Sequence, residues 1–139
     1  MYFAGKMMRK IILLLLFILS TNLYGNINYI QWDSIPKSAD YTDEIDYLKT
    51  YVQYFDHWSQ AWDYPVEKST LVEELQNSYN NFSTLDSQNV EVNLLLGDIA
   101  HYLYNLEYSK GFENAIHYYN KAISLAPSAY RGYWFLANH

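Results

Sequence analysis

Two acid–imidazole pairs lie at helical spacing: Asp98 with His101, three residues apart, and Glu113 with His117, four apart. Positions separated by three or four share one face of a helix, so each pair could offer two ligands to one metal ion. A zinc site takes three or four ligands, and neither an H-E-x-x-H motif nor a supporting third ligand accompanies them. Asp56 and His57 are adjacent and point in different directions. The sequence has no G-x-S-x-G, no glycine-rich phosphate loop and no cysteine, which removes the nucleophile elbow, the nucleotide cradle and the thiolate. These residues predict a protein that is not an enzyme and holds no cofactor and no metal. The polar pairs are then solvated surface groups.

The elements that position these side chains follow a leader. Lys6, Arg9 and Lys10 precede an unbroken apolar run, Ile11 to Leu19, and a more polar exit, Ser20 to Gly25. That three-part order is the layout of a secretory signal peptide, and the run falls short of the ~20 residues that a membrane-spanning helix needs. Residues 1–25 are therefore expected to direct export, to the periplasm or the exterior of a bacterial cell. If the leader is not cleaved, it anchors the protein to the membrane; the bulky Leu23, third before a cut at Gly25, is the feature that favours this outcome. Met7 and Met8 stand directly before Arg9 and offer internal starts.

Without the leader the chain carries six basic against fifteen acidic residues, a formal charge of −9. Such a surface repels phosphate backbones, so nucleic acid is not an expected partner. The lack of cysteine excludes disulfides and a lipid-modified cysteine after the leader. Half of the 139 residues are hydrophobic and only 17% are charged, which fits one small folded domain. Sixteen tyrosines, each an apolar ring with a polar tip, suit layers that are half core and half surface.

Residues 26–41 mix apolar and turn-forming types without a helical period and read as an extended N-terminal arm packed through Ile27, Ile30 and Trp32. Pro36 disfavours helix at Ile35. Residues 42–139 read as about five helices. The first runs from Asp43 to Trp62 with Thr42 as its cap; Leu48, Tyr51, Val52, Phe55 and Trp62 recur on one face, with Tyr47, Tyr54 and Trp58 beside them. The second spans Ser69 to Thr84, capped by Ser69 or by a box of Thr70 and Glu73, with Val72, Leu75, Tyr79 and Phe82 apolar. Asp86 to Asn89 forms a turn and the cap of the third helix, Val90 to Leu106. Gly97 lies in its middle, where glycine costs ~1 kcal/mol relative to alanine, and marks a close helix crossing. The fourth helix covers Phe112 to Leu125, with Phe112, Ala115, Ile116, Tyr119, Ala122 and Ile123 inward. Pro127 stops it, and a fifth begins at Tyr130.

Leu96-Gly97, the spacing A-x3-aromatic-x2-A-x4-P of Ala115, Tyr119, Ala122 and Pro127, and then Tyr133-x2-Leu136-Ala137 resemble the tetratricopeptide repeat. That family's unit is a helix-turn-helix of about 34 residues with the pattern W-x2-L-G-x2-Y…A-x3-F…P. The chain departs from it at Asn93, where the family prefers tryptophan, and at Ala100, where it prefers tyrosine. About six extra residues separate Gly97 from Ala115, around Tyr104 to Lys110. The resemblance comprises one divergent full repeat and the start of a second. It implies an all-α domain over residues 42–139, with antiparallel helix pairs stacked as a short right-handed solenoid. The second unit is incomplete at His139, and Tyr130, Tyr133, Trp134, Phe135 and Leu136 are too apolar for a solvent-facing cap. The C-terminal helix is therefore expected to be covered, by self-association or by another subunit, unless the chain is a truncated product.

In this family the first helix of each unit lines a concave groove. Carried onto this sequence, the groove residues are Glu91, Leu94, Asp98 and His101, then Arg131, Trp134 and Asn138. The resemblance implies a protein partner or an extended peptide bearing a basic residue, and a role as an interaction module or scaffold in the cell envelope. A different expectation comes from the wealth of aromatics: a glycan-binding envelope protein that stacks sugar rings on Tyr54, Trp58, Trp62 and Tyr64. A third is a scaffold with no groove ligand, contributing only packing to a larger envelope assembly.

Overall fold

The computed structural model describes residues 30–35, 42–55 and 66–139. Among them all regular structure is helical: a 3-10 turn at Trp32–Ser34, then α1 (Thr42–Phe55), α2 (Lys68–Ser83), α3 (Val90–Asn105), α4 (Gly111–Leu125) and α5 (Tyr130–Ala137). The fold is all-α, as the three- and four-residue periodicity predicts. The leader 1–25, Ile27, Trp58, Trp62 and Tyr64 lie outside the described residues, and so do the side chains of residues 51–55. No described helix is long and apolar enough to cross a membrane.

The arm, expected to be extended, curls through Trp32–Ser34. The Ser34 N–H donates to the Gln31 carbonyl at 2.8 Å and the Ile35 N–H to the Trp32 carbonyl at 3.2 Å. The curl brings both Ile30 and Ile35 onto the core, which a straight segment of alternating side chains would not do. The α2 cap also differs from expectation. Glu67, in an extended conformation, precedes the helix and makes no side-chain cap bond. Ser69 and Thr70 therefore already lie in the first turn, past the position from which a hydroxyl caps. The α3 cap is the one its spacing predicts: Asn89 Oδ1 accepts the N–H groups of Glu91 at 2.9 Å and Val92 at 3.2 Å, and Asp86 Oδ1 accepts that of Gln88 at 2.8 Å.

Helix α3 is the centre of the molecule, in contact with each of the other four helices. Every residue from Glu91 to Leu103 is buried, so the helix is covered on all sides and its polar members are held by partners inside the fold. Its closest partner is α4, joined to it by a five-residue turn. Two glycines set that approach. A Cβ at Gly97 would stand 2.4 Å from Cε1 of the Tyr119 ring, and one at Gly111 would stand 2.4 Å from the Tyr104 backbone nitrogen. Ala115 and Ala122 flank Tyr119 on the same buried face. Ala100 belongs to this close contact as well: it is buried, and its carbonyl lies 2.7 Å from where a Gly111 Cβ would be. Asn93 takes a different role from a tryptophan: its Nδ2 donates to the Ser87 and Asn89 carbonyls at 3.0 and 2.7 Å and ties the preceding turn to α3.

The residues that lengthen the span between Gly97 and Ala115 lie in the end of α3 and in the turn. That end is a Schellman closure: the Tyr108 N–H donates to the Leu103 carbonyl at 2.9 Å and the Glu107 N–H to the Tyr104 carbonyl at 2.8 Å. Glu107 occupies the left-handed position, φ 65°, where glycine is usual. Phe112, expected inward, is 46% exposed. The helix starts one residue earlier, Gly111 takes the place against α3, and Phe112 rotates outward onto the Tyr104 ring, 5.4 Å between centroids. Of the remaining repeat-defining residues, Leu96 is buried, Leu136 half-buried, and Pro127, Tyr133 and Ala137 exposed. Pro127 ends α4 and its carbonyl accepts the Tyr133 hydroxyl at 3.2 Å.

Two substitutions check this geometry by thermal or urea unfolding. Gly97→Ala is expected to destabilise by about 1–3 kcal/mol, because overpacking against a fixed ring outweighs alanine's better helix propensity. Glu107→Gly is expected to stabilise by about 1 kcal/mol by relieving the left-handed strain; its exposed ion pair with Lys68 contributes little.

Candidate functional site

The first turn of α3, the first turn of α5 and the arm meet at one carboxylate. Arg131 grips Glu91 with both guanidinium nitrogens, Nη2 donating to Oε2 at 2.9 Å and Nη1 to Oε1. Both side chains are largely withdrawn from water, so this forked, charge-assisted pair is stronger than a surface ion pair. The backbone N–H of Gln31 donates to the same Glu91 Oε2 at 2.9 Å. Asn89, whose oxygen caps α3, uses its Nδ2 to hold the Ser34 carbonyl at 2.8 Å. From α1, the Lys49 ammonium lies 5.3 Å from the centre of the Trp32 ring, within cation–π range. A stretch of polypeptide is thus held here by its backbone groups, with side chains of α3 supplying the partners.

Beside this contact a cavity of about 260 Å³ is lined by Gln31, Tyr130, Arg131, Trp134 and Phe135. Trp134 is half-buried and packs against the core, and Tyr130 is among the most exposed aromatics. The lining combines three aromatic side chains, a guanidinium already engaged and a backbone amide segment. It can hold an apolar or aromatic side chain.

The other groove residues lie deeper. Leu94 has no accessible surface and belongs to the core. Asp98 is fully buried and accepts the Tyr119 hydroxyl on Oδ1 at 2.6 Å. Asp98 and His101, expected as solvated surface groups, are thus interior, because α5 and α4 close over their side of α3. His101 Nδ1 stands 2.6 Å from His139 Nδ1, and the Asn105 Nδ2 lies 3.2 Å from His101 Nε2. With the Asn105 amide donating, the proton of neutral His101 resides on Nδ1 and is donated to His139. Burial, and then the neighbouring His139, push the His101 pKa down to about 4. Burial also lowers that of His139, against an opposing backbone hydrogen bond at Phe112. Asn138 is exposed, its Nδ2 donating to the Trp134 carbonyl at 2.8 Å.

The structure therefore joins Glu91 to Arg131 and sets Trp134 next to them, while Leu94, Asp98 and His101 form separate interior contacts. Glu113 and His117 are exposed, His117 edge-on to Tyr118 at 5.0 Å. Among the described residues no three His, Cys, Asp or Glu side chains converge on a point. Gln31, Ser34 and Asn89 belong to the site and were not foreseeable as such: a backbone donor carries no sequence signal, and 60 residues separate Gln31 from Glu91.

Arg131→Ala is expected to cost about 2–4 kcal/mol, since it leaves a largely buried carboxylate without its cation; chemical denaturation measures it. A second expectation concerns pH. The folded-state His101 pKa lies below its unfolded value, so the unfolded chain binds the proton more readily and stability falls as pH drops through the window from 6.5 towards 4. Between pH 7 and pH 5 the loss is expected to be about 2 kcal/mol, and His101→Gln should flatten that slope in pH-dependent unfolding. No protein-family model matches this chain, and no curated protein or solved structure matches it.

Proposed function

We propose that this chain is an exported interaction module, a short stack of helix pairs that holds a protein or peptide partner in the cell envelope. Support for stacking comes from which helices are neighbours. α3 touches both α1 and α5, while α2 and α4 approach through Tyr79 and Tyr118, hydroxyls 3.2 Å apart and rings edge-on. Contacts between alternate helices are what successive pairs in a tetratricopeptide-like array would give. The close α3–α4 crossing at Gly97 and Tyr119 uses the same small and aromatic positions on which the resemblance rests.

The observation that carries the binding reading is the arm itself. Residues 30–35 lie on the side of α3 next to α5 and are held through backbone groups by Glu91 and Asn89. A face that binds its own polypeptide by main-chain contacts has the chemistry to bind another, and the adjoining cavity with Tyr130 and Trp134 offers a pocket for a side chain. The module acts by holding rather than by transforming its partner.

Site-specific photo-crosslinking in the producing cell tests this. A crosslinker at Tyr130 is expected to give a discrete protein adduct, and one at exposed Asn120 in α4 is not. Adducts from Tyr130 that contain only carbohydrate would overturn the proposal in favour of glycan binding.

A further inference from the structure

His101 does not share a site with Asp98, the neighbour that helical spacing gives it. Asp98 turns to Tyr119, and His101 meets His139, which follows the end of α5. The two imidazoles present the same atom to one another, Nδ1 to Nδ1 at 2.6 Å, with the ring planes 72° apart. A single proton fits between two such nitrogens, so the neutral pair always turns one lone pair inward. Burial favours the neutral form of both rings.

The surroundings set the charge that this spot can accept. His101 is only 8% exposed, and the rings of Tyr104, Phe112 and Tyr119 lie 5.8, 5.0 and 6.0 Å from that of His139, centroid to centroid. Among the described residues no third His, Cys, Asp or Glu joins the pair. A divalent ion such as zinc takes three or four ligands, and two neutral ones in an apolar shell would leave its charge uncompensated. A soft monovalent d10 ion is satisfied by two nitrogens in line, and imidazole suits copper. Asn105 supplies the orienting contact that metal-bound histidines need. Its carboxamide stands 3.2 Å from His101 Nε2. Turned by half a rotation, it accepts the Nε2–H and frees Nδ1 for a ligand bond.

We propose that His101 and His139 bind one Cu(I) ion between their Nδ1 atoms. An ion with a nitrogen about 2 Å away on each side needs them about 4 Å apart. His139 is the member that gives way: it lies beyond the last helical residues, and its N–H reaches the Leu136 carbonyl only at 3.4 Å. His101 is held in the middle of the fold by α3. The ion would tie the end of α5 to α3 in place of the hydrogen bond between the rings.

Anaerobic titration of the full chain with Cu(I) against a bathocuproine competitor, and calorimetry with Ag(I) in chloride-free solution, provide the test. One ion per chain should bind and raise Tm, while Zn(II) at the same concentration should not. His139→Gln keeps an acceptor for the His101 N–H and removes the nitrogen ligand; it should weaken Cu(I) roughly a hundredfold and abolish the rise in Tm. Asn105→Ala, at a positioning residue, should weaken Cu(I) roughly tenfold, and His117→Ala should change nothing. X-ray absorption of the wild-type complex gives an independent reading, two nitrogen neighbours being expected. The thioethers of Met1, Met7 and Met8 are the other soft ligands in the sequence. Sulfur neighbours, or binding that survives His139→Gln, would therefore overturn the proposal, as would absent binding or Zn(II) held as tightly as Cu(I).

Discussion

Tyr119 lies across the backbone of α3 where Gly97 provides no side chain, and its hydroxyl reaches the buried carboxyl of Asp98. Most of the architecture follows from that arrangement. The ring can occupy its place only because a methyl group at position 97 would overlap it. Ala115 and Ala122, four residues before and three after, keep the α4 axis near α3 on the same face. Phe135 of α5 meets the ring edge-on at 6.0 Å between centroids, so one aromatic side chain touches the packing of three helices. The polar end adds register. A one-residue slip of α4 would rotate Tyr119 by about 100° and leave the Asp98 carboxyl buried without its donor, a penalty that apolar packing alone would not impose.

Charge is distributed with similar economy. Cations are few in this acidic chain, and three of them have specific partners: Arg131 holds Glu91, Lys68 meets Glu107, and Lys49 covers Trp32. Glu91 in the first turn of α3 also favours the positive end of that helix. At the opposite end, burial lowers the pKa of both His101 and His139 and so favours their neutral forms.

Much of the fold was legible in the residues themselves. The helical period located the helices to within a residue or two over 66–139, Asn89 announced the α3 cap, and glycine in mid-helix with alanines seven residues apart announced the α3–α4 crossing. What escaped sequence reasoning was relational. A periodic face says that a helix is covered, not what covers it, and so Leu94 and Asp98 read as groove residues when they are interior. Ser69 and Thr70 look like caps, yet the helix starts before them and their hydroxyls come too late. The Glu91–Arg131 pair spans 40 residues, and nothing local in either helix points to the other.

Helix α5 depends on several of these contacts at once. Its eight residues are too few to remain helical alone, since a helix shorter than about 12–15 residues is marginal in water. It is held by Phe135 in the core, by Gly132, where a Cβ would stand 2.7 Å from Ile123 Cγ1, and by Arg131 on Glu91. The last of these is shared with the arm, because the Glu91 oxygen that accepts Arg131 Nη2 also accepts the Gln31 N–H. The two contacts therefore strengthen one another: the arginine fixes the acceptor for the arm, and the arm shields the arginine's partner from water. A ligand that displaced residues 30–35 would rehydrate Glu91 and loosen the first turn of α5, and by reciprocity whatever orders α5 would tighten the arm. Site and fold are coupled here through a single carboxylate.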